Sequence, residues 1–372
     1  MPPTATKRET SRSTLEGAIT WKARRAAGTA FTPFTYAAAY QRGLTPTSVT
    51  LDVPIDNREV MIGGVEGILG EWGAESPNNR YEGAVPTAWA FLSNKIGATV
   101  RVGYKTGLTP VLEMAQKAGF ESPLRPYPNA FVGSSEVSLA EMTHAYTIFP
   151  NLGWRAPQTG IIRKIRSEKG EVLFDRSQQG KISVVDEVTA GQLSHLLAQS
   201  LPGTLHHRTG TEFVAGKGGS SYDFTDHWFI GYNQAFTWGV WIGFDQPKTI
   251  SNKLFSRHTA FPIWSAVAQI LDVDEPLPQP EHCETTFICT HACQHCESSK
   301  HPKLLTLRPL DSSTSSVAAS SDDPRTWRPK TIPAVSSVSD RTSSLAPASP
   351  VRPKIPAGLG ANDPYGALPS GS

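Results

Sequence analysis

The chain has 372 residues, and its 35 basic and 33 acidic side chains leave a net charge of +2, which gives no reason to expect nucleic-acid binding. Only 38% of the residues are hydrophobic, while 30 are proline and 31 are glycine, so we expect part of the chain to remain unfolded. No run of 18 apolar residues occurs, which predicts no membrane span in this chain. Residues 1–13 are polar and lack the apolar core of a secretory signal.

The N-terminal part of the chain predicts two helices. Residues 1–18 are polar and without periodicity, so we treat them as a separate N-terminal segment. A helix is predicted over residues 29–42, where Gly43 ends it. Residues 47–80 contain scattered proline, asparagine and glycine and are predicted to be irregular. A second helix is predicted over residues 86–93, with proline in its first turn.

The middle of the chain carries start signals for two further helices. Ser138 and Glu141 have the spacing of a capping box, ahead of an apolar stripe that ends at the turn 150–153. Residues 161–174 predict a hairpin. Asp186 is predicted to cap a helix with one leucine stripe, formed by Leu193, Leu196, Leu197 and Leu201.

From residue 215 onward the pattern is typical of strands. Residues 215–244 contain two runs of alternating apolar side chains joined by a short turn, which predicts an antiparallel hairpin. A helix is predicted over residues 263–271, packed on that sheet. After about Pro302, serine, threonine, proline and alanine dominate without periodicity, so residues 301–372 are predicted to be a disordered tail.

The segment 27–34, Ala-Gly-Thr-Ala-Phe-Thr-Pro-Phe, is the most informative stretch of the sequence. It resembles the nucleophile turn of the penicillin-binding transpeptidases, in which a serine and a lysine three residues later stand in a G-S-x-x-K-P-F frame. Three residues make almost one helical turn, so in that family the hydroxyl and the amine share a face and the lysine takes the serine proton. Here Thr29 occupies the serine position and Thr32 the lysine position.

Other segments are similar to the same family and follow in its order. They are 133–142, 145–146 and 151–153 around the capped helix, the turn 202–204, the A-G-K-G-G-S-S strand 215–221, the D-H-W-F-I-G-Y strand 226–232 and residues 241–245. We therefore assign residues 19–275 to a transpeptidase-like domain. The resemblance implies an α/β fold, with an antiparallel sheet packed between helices and a helical subdomain.

The resemblance also implies strands upstream of the nucleophile turn. In the family they precede it by several tens of residues, whereas only 28 residues precede Thr29 and these show no strand pattern. We therefore expect the sheet to lack its N-terminal strands. The family's glycosyltransferase domain and membrane anchor are likewise not expected in this chain.

The nucleophile turn keeps the frame of the family but not its reacting groups. Thr29 retains a hydroxyl, and its β-methyl group crowds attack on the D-Ala-D-Ala carbonyl or on a β-lactam. Thr32 has no group that can act as a base at physiological pH, and base catalysis is typically worth about a hundred- to ten-thousandfold in rate. The alternative interpretation is that both threonines are ordinary residues at the start of a helix.

The family's second motif, S-x-N, is expected within residues 90–101. One alignment puts Asn94 at the serine position and Ile96 at the asparagine position. Sliding the alignment by one residue puts Ser93 first and Lys95 third. Neither register gives S-x-N, which leaves the proton-shuttling hydroxyl and the substrate-orienting amide unassigned.

The third motif is the best preserved. Lys217 is predicted to supply positive charge at the site, with a solvated strand lysine as the alternative. Gly219 would allow a ligand to approach the strand closely. Gly218 replaces the hydroxyl residue that, by resemblance, binds the substrate carboxylate, and Ser220 is the substitute nearest to it.

All four cysteines lie in a Cys/His-rich segment, residues 276–300, at Cys283, Cys289, Cys293 and Cys296. Zinc suits such a cluster chemically. The spacing C-x3-C-x2-C also copies the iron–sulfur motif of radical S-adenosylmethionine enzymes, but no sequence for the required barrel follows it. Some bifunctional family members carry a cysteine-containing segment after this domain, a loose similarity that implies paired disulfides in an oxidising compartment. We assign no cofactor and no metal, and these cysteines are the candidates if one binds.

The leading hypothesis is a degenerate transpeptidase domain, without turnover, that binds a wall-related ligand or a partner protein. One alternative is an active D,D-transpeptidase or carboxypeptidase that uses Thr29 as nucleophile with an unidentified base. The other alternative is that the chain is a truncated product without a function of its own. The resemblance implies a peptidoglycan stem peptide or a β-lactam as ligand, a cell-wall synthesis protein as partner, and a periplasmic or cell-envelope location.

Overall fold

The computed structural model describes residues 23–55, 81–157, 160, 162–202, 214–221, 224–251, 253–291 and 303–310. Within these ranges the helices are α1 Thr32–Gln41, α2 Thr87–Leu92, α3 Ile96–Thr106, α4 Leu108–Ala118, α5 Leu139–Tyr146, α6 Glu187–Gln199 and α7 Ala260–Ile270. The strands are β1 Arg25–Ala26, β2 Val49–Asp52, β3 Gly83–Pro86, β4 Glu136–Val137, β5 Trp154–Arg155, β6 Lys164–Arg166, β7 Val172–Asp175, β8 Ile182–Ser183, β9 Ala215–Ser220, β10 Asp226–Tyr232, β11 Thr237–Gly243, β12 Cys283–Cys289 and β13 Lys303–Pro309. Short 3₁₀ turns span Gly28–Phe31, Pro128–Val132, Arg176–Gln178 and Ser256–His258. None of the described helices is long and apolar enough to cross a membrane.

The central sheet has the strand order β11-β10-β9 among the described residues, and both pairings are antiparallel. Side chains of β10 alternate between its two faces. Trp228 and Ile230 enter the main core on the side of α5 and α6, whereas Phe229 packs against Trp264 of α7 on the other side. The sheet therefore lies between helical layers, and the predicted fold class and the hairpin over residues 215–244 are confirmed.

Helix α1 lies at the centre of the main core. Every residue of α1 except Gln41 is buried, as expected for a helix that is apolar on all sides. Phe34 is surrounded by four aromatic rings at centroid distances between 5.0 and 5.9 Å, those of Phe31, Phe120, Tyr146 and Phe149. The turn that precedes α1 is consequently fixed to the most densely packed part of the molecule.

The predicted capping signals are confirmed. The Ser138 hydroxyl accepts a hydrogen bond from the Glu141 amide at 3.1 Å, and the Glu141 carboxylate accepts one from the Ser138 amide at 2.8 Å. Asp186 accepts a hydrogen bond from the Thr189 amide at 2.7 Å at the start of α6. These side chains satisfy amide groups that have no partner inside the helix, which fixes where α5 and α6 begin.

Two predictions about the N-terminal part are corrected. The prediction that residues 47–80 are irregular is wrong for Val49–Asp52, which form β2 and pair with Gly83–Pro86 of β3. The buried positions of β2 carry Thr50 and Asp52, so the strand lacks the apolar alternation by which strands are identified. The helix predicted from residue 29 begins as a 3₁₀ turn and becomes α-helical only at Thr32.

The boundary predicted for the disordered tail is also wrong. Lys303–Pro309 form β13, which pairs along its whole length with β12 in the Cys/His-rich segment. Leu304 and Leu307 of β13 are buried. Residues 1–18 and 311–372 lie outside the described residues, and the predictions for them stay predictions.

Helix α6 holds this hairpin through glutamine side chains. The Gln199 amide donates to the Leu305 carbonyl at 2.8 Å and accepts from the Leu305 amide at 3.3 Å. Gln192 donates to the Leu307 carbonyl at 3.0 Å. Gln192 and Gln199 are spaced along α6 so that both side chains reach the backbone of β13. No local sequence pattern indicates this contact.

The cysteines do not form one cluster. Cys283 and Cys289 stand at opposite ends of β12, six residues apart, which separates them by about 20 Å. That distance excludes a disulfide between them and excludes a single metal ion bound by both. A site built from all four cysteines is therefore wrong. Cys293 and Cys296 lie outside the described residues.

Deleting residues 303–372 is expected to lower the melting temperature by about 5 °C or more, because it uncovers the surface of α6 on which Leu304 and Leu307 are buried. Deleting only residues 311–372 should change it by less than about 2 °C. Thermal unfolding followed by circular dichroism compares both with the full chain. Equal melting temperatures for the two truncated chains would show that the hairpin adds nothing to stability.

Candidate functional site

The turn Gly28–Phe31 packs directly against strand β9. Gly28 has a positive φ of 55°, and a Cβ there would lie 2.1 Å from the Ser220 carbonyl oxygen. A Cβ at Gly219 would lie 2.3 Å from the Ala30 amide nitrogen. Glycine is therefore required on both sides of the contact, which joins the predicted nucleophile turn to the third motif. Gly219 makes room for this turn.

Thr29 faces the third motif. Its side chain is half-buried, and its hydroxyl donates to the Gly218 carbonyl at 3.3 Å. The hydroxyl is thus placed at the strand that, by resemblance, lines the ligand site. At 3.3 Å this is a weak hydrogen bond.

Thr32 has a different role. Only 3% of its surface is exposed, and its hydroxyl donates to the Thr29 carbonyl at 2.8 Å. The position at which the family has a lysine therefore holds a hydroxyl committed to the backbone of the turn. It brings no basic group to Thr29.

Asn94 is the second-motif residue that reaches the site. It follows α2 in a left-handed conformation, with φ of 51°, and its side-chain oxygen accepts a hydrogen bond from the Lys217 amine. Ile96 is buried in the core, and Ser93 ends α2. This contact favours the register with Asn94 at the serine position, and it supplies an amide where the family has a hydroxyl.

Lys95, next to Asn94, anchors this loop. Its buried amine pairs with Asp52 at 2.8 Å and with Glu82 at 2.7 Å. Burial opposes the charge on Lys95, but the hydrogen bonds to the two carboxylates outweigh it and raise its pKa. Lys95 is thus a structural residue, which argues against its placement in the second motif.

Lys217 is buried, so the alternative interpretation of this residue as a solvated strand lysine is wrong. Only 2% of its surface is exposed, and its amine lies 3.5 Å from the Gly218 carbonyl and 5.7 Å from the centre of the Phe91 ring. Burial lowers the pKa of the Lys217 amine to about 7. The amine and the Thr29 hydroxyl therefore share one acceptor, the Gly218 carbonyl.

Gly218 and Ser220 point to the opposite face of β9. A Cβ at Gly218 would lie 2.5 Å from the hydroxyl oxygen of Ser256, and the Ser220 hydroxyl accepts from the Ser256 amide at 3.1 Å. Ser256 was not identified in the sequence, because it comes from a distant turn. His227 faces Ser220 from β10; it lies in the strand 226–232 that the sequence predicted, but no role was assigned to it.

No group of three or more histidine, cysteine, aspartate or glutamate side chains is placed to hold a metal ion within the described ranges. The chemistry available here consists of hydroxyl, amide, amine and imidazole groups. Such a set can bind an acyl peptide or a carboxylate through hydrogen bonds.

Comparison with known proteins finds relatives in sequence and in fold. No family model matches the chain. Penicillin-binding protein 1A of Aquifex aeolicus is 31% identical over 244 residues, a match that covers 65% of this chain and 32% of that protein. The matched region thus spans about a third of the length of the curated relatives.

Solved structures show the same fold. The crystal structure of penicillin-binding protein 1A from Haemophilus influenzae matches with a TM-score of 0.61 and 20% identity, over 78% of this chain and 48% of that one. Penicillin-binding protein A of Mycobacterium tuberculosis, solved as a penicillin G acyl-enzyme complex, matches with a TM-score of 0.50 and 18% identity, over 68% of this chain and 62% of that one. In sequence and in fold, this chain contains a penicillin-binding transpeptidase domain.

Proposed function

We propose that this domain binds a peptidoglycan stem peptide or a β-lactam reversibly, without turnover, in the cell envelope and beside a cell-wall synthesis protein. The observation that carries the proposal is the hydrogen bond from the Thr32 hydroxyl to the Thr29 carbonyl at 2.8 Å. It commits the base position of the nucleophile turn to a structural role.

Acyl transfer needs a nucleophile and a base that act together. Removing one member of such a set can cost about as much as removing all of it. The family's lysine position holds Thr32, so no basic group stands there to activate Thr29. The branched side chain of Thr29 also has fewer rotamers with which to approach a carbonyl. Both changes reduce acylation while leaving the walls of the site in place.

The walls of the site support retained binding. Strand β9 is held against the turn by Gly28 and Gly219, and Lys217 is held at Asn94. These contacts keep hydrogen-bonding groups oriented without requiring any covalent step. A preorganised site of this kind binds a ligand at lower entropic cost than a mobile one.

A second candidate function is slow acyl transfer by Thr29, with Lys217 as the base. The Thr29 hydroxyl lies 3.3 Å and the Lys217 amine 3.5 Å from the same Gly218 carbonyl. A buried lysine whose pKa is lowered to about 7 is partly neutral at physiological pH and is therefore able to accept a proton. This observation supports Lys217 as the base that the sequence left open.

Purified protein is expected to form no covalent adduct with a fluorescent penicillin, because the base position is occupied by Thr32. Intact mass and in-gel fluorescence after long incubation check this. Reversible binding of the same compound should be visible by fluorescence polarisation, and it should survive in Thr29→Ala.

Stoichiometric labelling that disappears in Thr29→Ala would overturn the proposal and support the second candidate. In that case Lys217→Met should also abolish labelling. If the protein shows no labelling and no reversible binding, the proposed function is wrong.

Lys217 is expected to make folding stability depend on pH. Its pKa is lowered to about 7 in the folded protein from an ordinary value of 10.5. Between these values the unfolded chain holds a proton that the folded chain has released, so the free energy of unfolding rises with pH. Below pH 7 both states are protonated and this contribution is constant.

From pH 7 to pH 9 the wild-type chain should therefore gain about 2 kcal/mol of stability relative to Lys217→Met. Urea unfolding of both proteins at the two pH values measures the difference, and the comparison cancels the other titrating groups. Parallel pH profiles for the two proteins would show that the lysine titrates normally.

A further inference from the structure

Strand β11 is an edge of the central sheet among the described residues, since it pairs there with β10 alone. Every residue of β10 is buried, whereas every residue of β11 is partly exposed. Natural proteins usually block such an edge with a charged residue, a proline or a β-bulge. None of these occurs on β11: residues 235–244 contain no proline and no charged side chain, and the pairing with β10 has no irregularity.

The hairpin turn fixes which backbone groups of β11 point away from β10. The Asn233 amide donates to the Phe236 carbonyl at 2.9 Å. In an antiparallel pair the hydrogen-bonded positions recur at every second residue. The even-numbered residues of β11 therefore bond to β10, and the backbone groups of the others point outward. These others are Thr237, Gly239, Trp241 and Gly243, and their backbone groups make no further hydrogen bond to a described residue.

The side chains along this edge are arranged symmetrically about Val240. Phe236 and Phe244 lie at equal distances along the chain on its two sides, and they are 48% and 47% exposed. If a second copy of β11 pairs antiparallel with the first and Val240 lies at the centre, each Phe236 lies opposite a Phe244. Aromatic side chains directly across from each other stabilise a strand pair.

The same register matches the outward backbone groups. With Val240 at the centre, Gly239 pairs with Trp241 of the other copy, and Thr237 pairs with Gly243. All four residues carry the outward amide and carbonyl groups, so the hydrogen-bonded positions of the two strands coincide. The largest of these side chains, that of Trp241, then faces a residue without a side chain.

The absence of charge on β11 favours a second copy as the occupant of this edge. A strand with charged side chains would lose hydration there, and β11 offers no opposite charge in return. A second β11 brings an uncharged strand of the same length. The nearest charge along the chain, on Asp245, lies beyond the end of β11, where the Asp245 carbonyl accepts a hydrogen bond from Arg25 at 2.7 Å.

We propose that two copies of this chain associate through β11, which pairs antiparallel with its own copy about a two-fold axis at Val240. The central sheet then continues from one copy into the other, and the interface uses the same surface on both. This inference goes beyond the proposed function, because neither Thr29 nor Lys217 takes part in it.

Sedimentation velocity of the full chain measures the association. The wild-type protein should change from monomer to dimer as its concentration is raised from about 1 to 200 µM, as mass action requires. Val240→Lys would place two ammonium groups opposite each other at the axis. It should raise the dissociation constant of the dimer by about tenfold or more, and Val240→Glu should do the same with two carboxylates.

Mixing the two variants tests the register. Val240→Lys and Val240→Glu together should form a mixed dimer, because opposite charges then meet at the axis. Val172→Lys is the matched control, since Val172 is a 45% exposed valine on β7, and this variant should dimerise like the wild-type chain. Circular dichroism melting curves show whether each variant is folded.

Hydrogen exchange of the wild-type chain gives a test that needs no variant. The Trp241 amide points outward in the monomer and would be hydrogen-bonded in the dimer. Its exchange should slow by about tenfold or more between the lowest and the highest concentration. The Val240 amide bonds to β10 and should exchange slowly at both concentrations.

Three outcomes would overturn the proposal. The first is a wild-type chain that stays monomeric over the whole concentration range. The second is a dimer that folded Val240→Lys and Val240→Glu leave unchanged, which would place the interface elsewhere. The third is slow exchange of the Trp241 amide at every concentration, which would show that the edge is covered within one chain. If the variants do not fold, the exchange of the Trp241 amide decides.

Discussion

The site depends on one close contact between two stretches of backbone. The turn Gly28–Phe31 reaches strand β9 so closely that a Cβ at Gly28 would lie 2.1 Å from a carbonyl oxygen of the strand. The turn is fixed from behind by the buried helix α1, and the strand is fixed by the central strand β10. Thr29, Gly218 and Lys217 obtain their relative positions from this contact, so any residue larger than glycine at Gly28 or Gly219 would displace all of them.

The parts of the fold that the sequence predicted are those with local causes. Ser138 and Asp186 cap their helices through amides three residues away, and the strands of the central sheet alternate within a single hairpin. Strands β2 and β13 were missed because their partners are distant. The Gln199 amide that holds β13 lies 106 residues before Leu305, and no period within either segment encodes that pairing.

The candidate site shows the same division. Resemblance located Thr29, Asn94 and Lys217, but it could not tell that Lys217 is buried, because burial depends on how α2 and the turn cover β9. Ser256 could not be found at all, since it lies 36 residues beyond Ser220 and carries no motif of its own. A glycine in place of a hydroxyl residue looks like a loss in the sequence, and only the folded chain shows a second hydroxyl beside it.

The glutamine side chains of α6 affect how this molecule can associate with other protein chains. A strand with free amide and carbonyl groups along one side is a template for a strand of another chain. On β13 three of those groups are bonded by α6: Gln199 pairs with both backbone groups of Leu305, and Gln192 with the carbonyl of Leu307. At these positions two glutamine side chains act as the next strand would, and they oppose the addition of a strand from another chain to this edge of the hairpin.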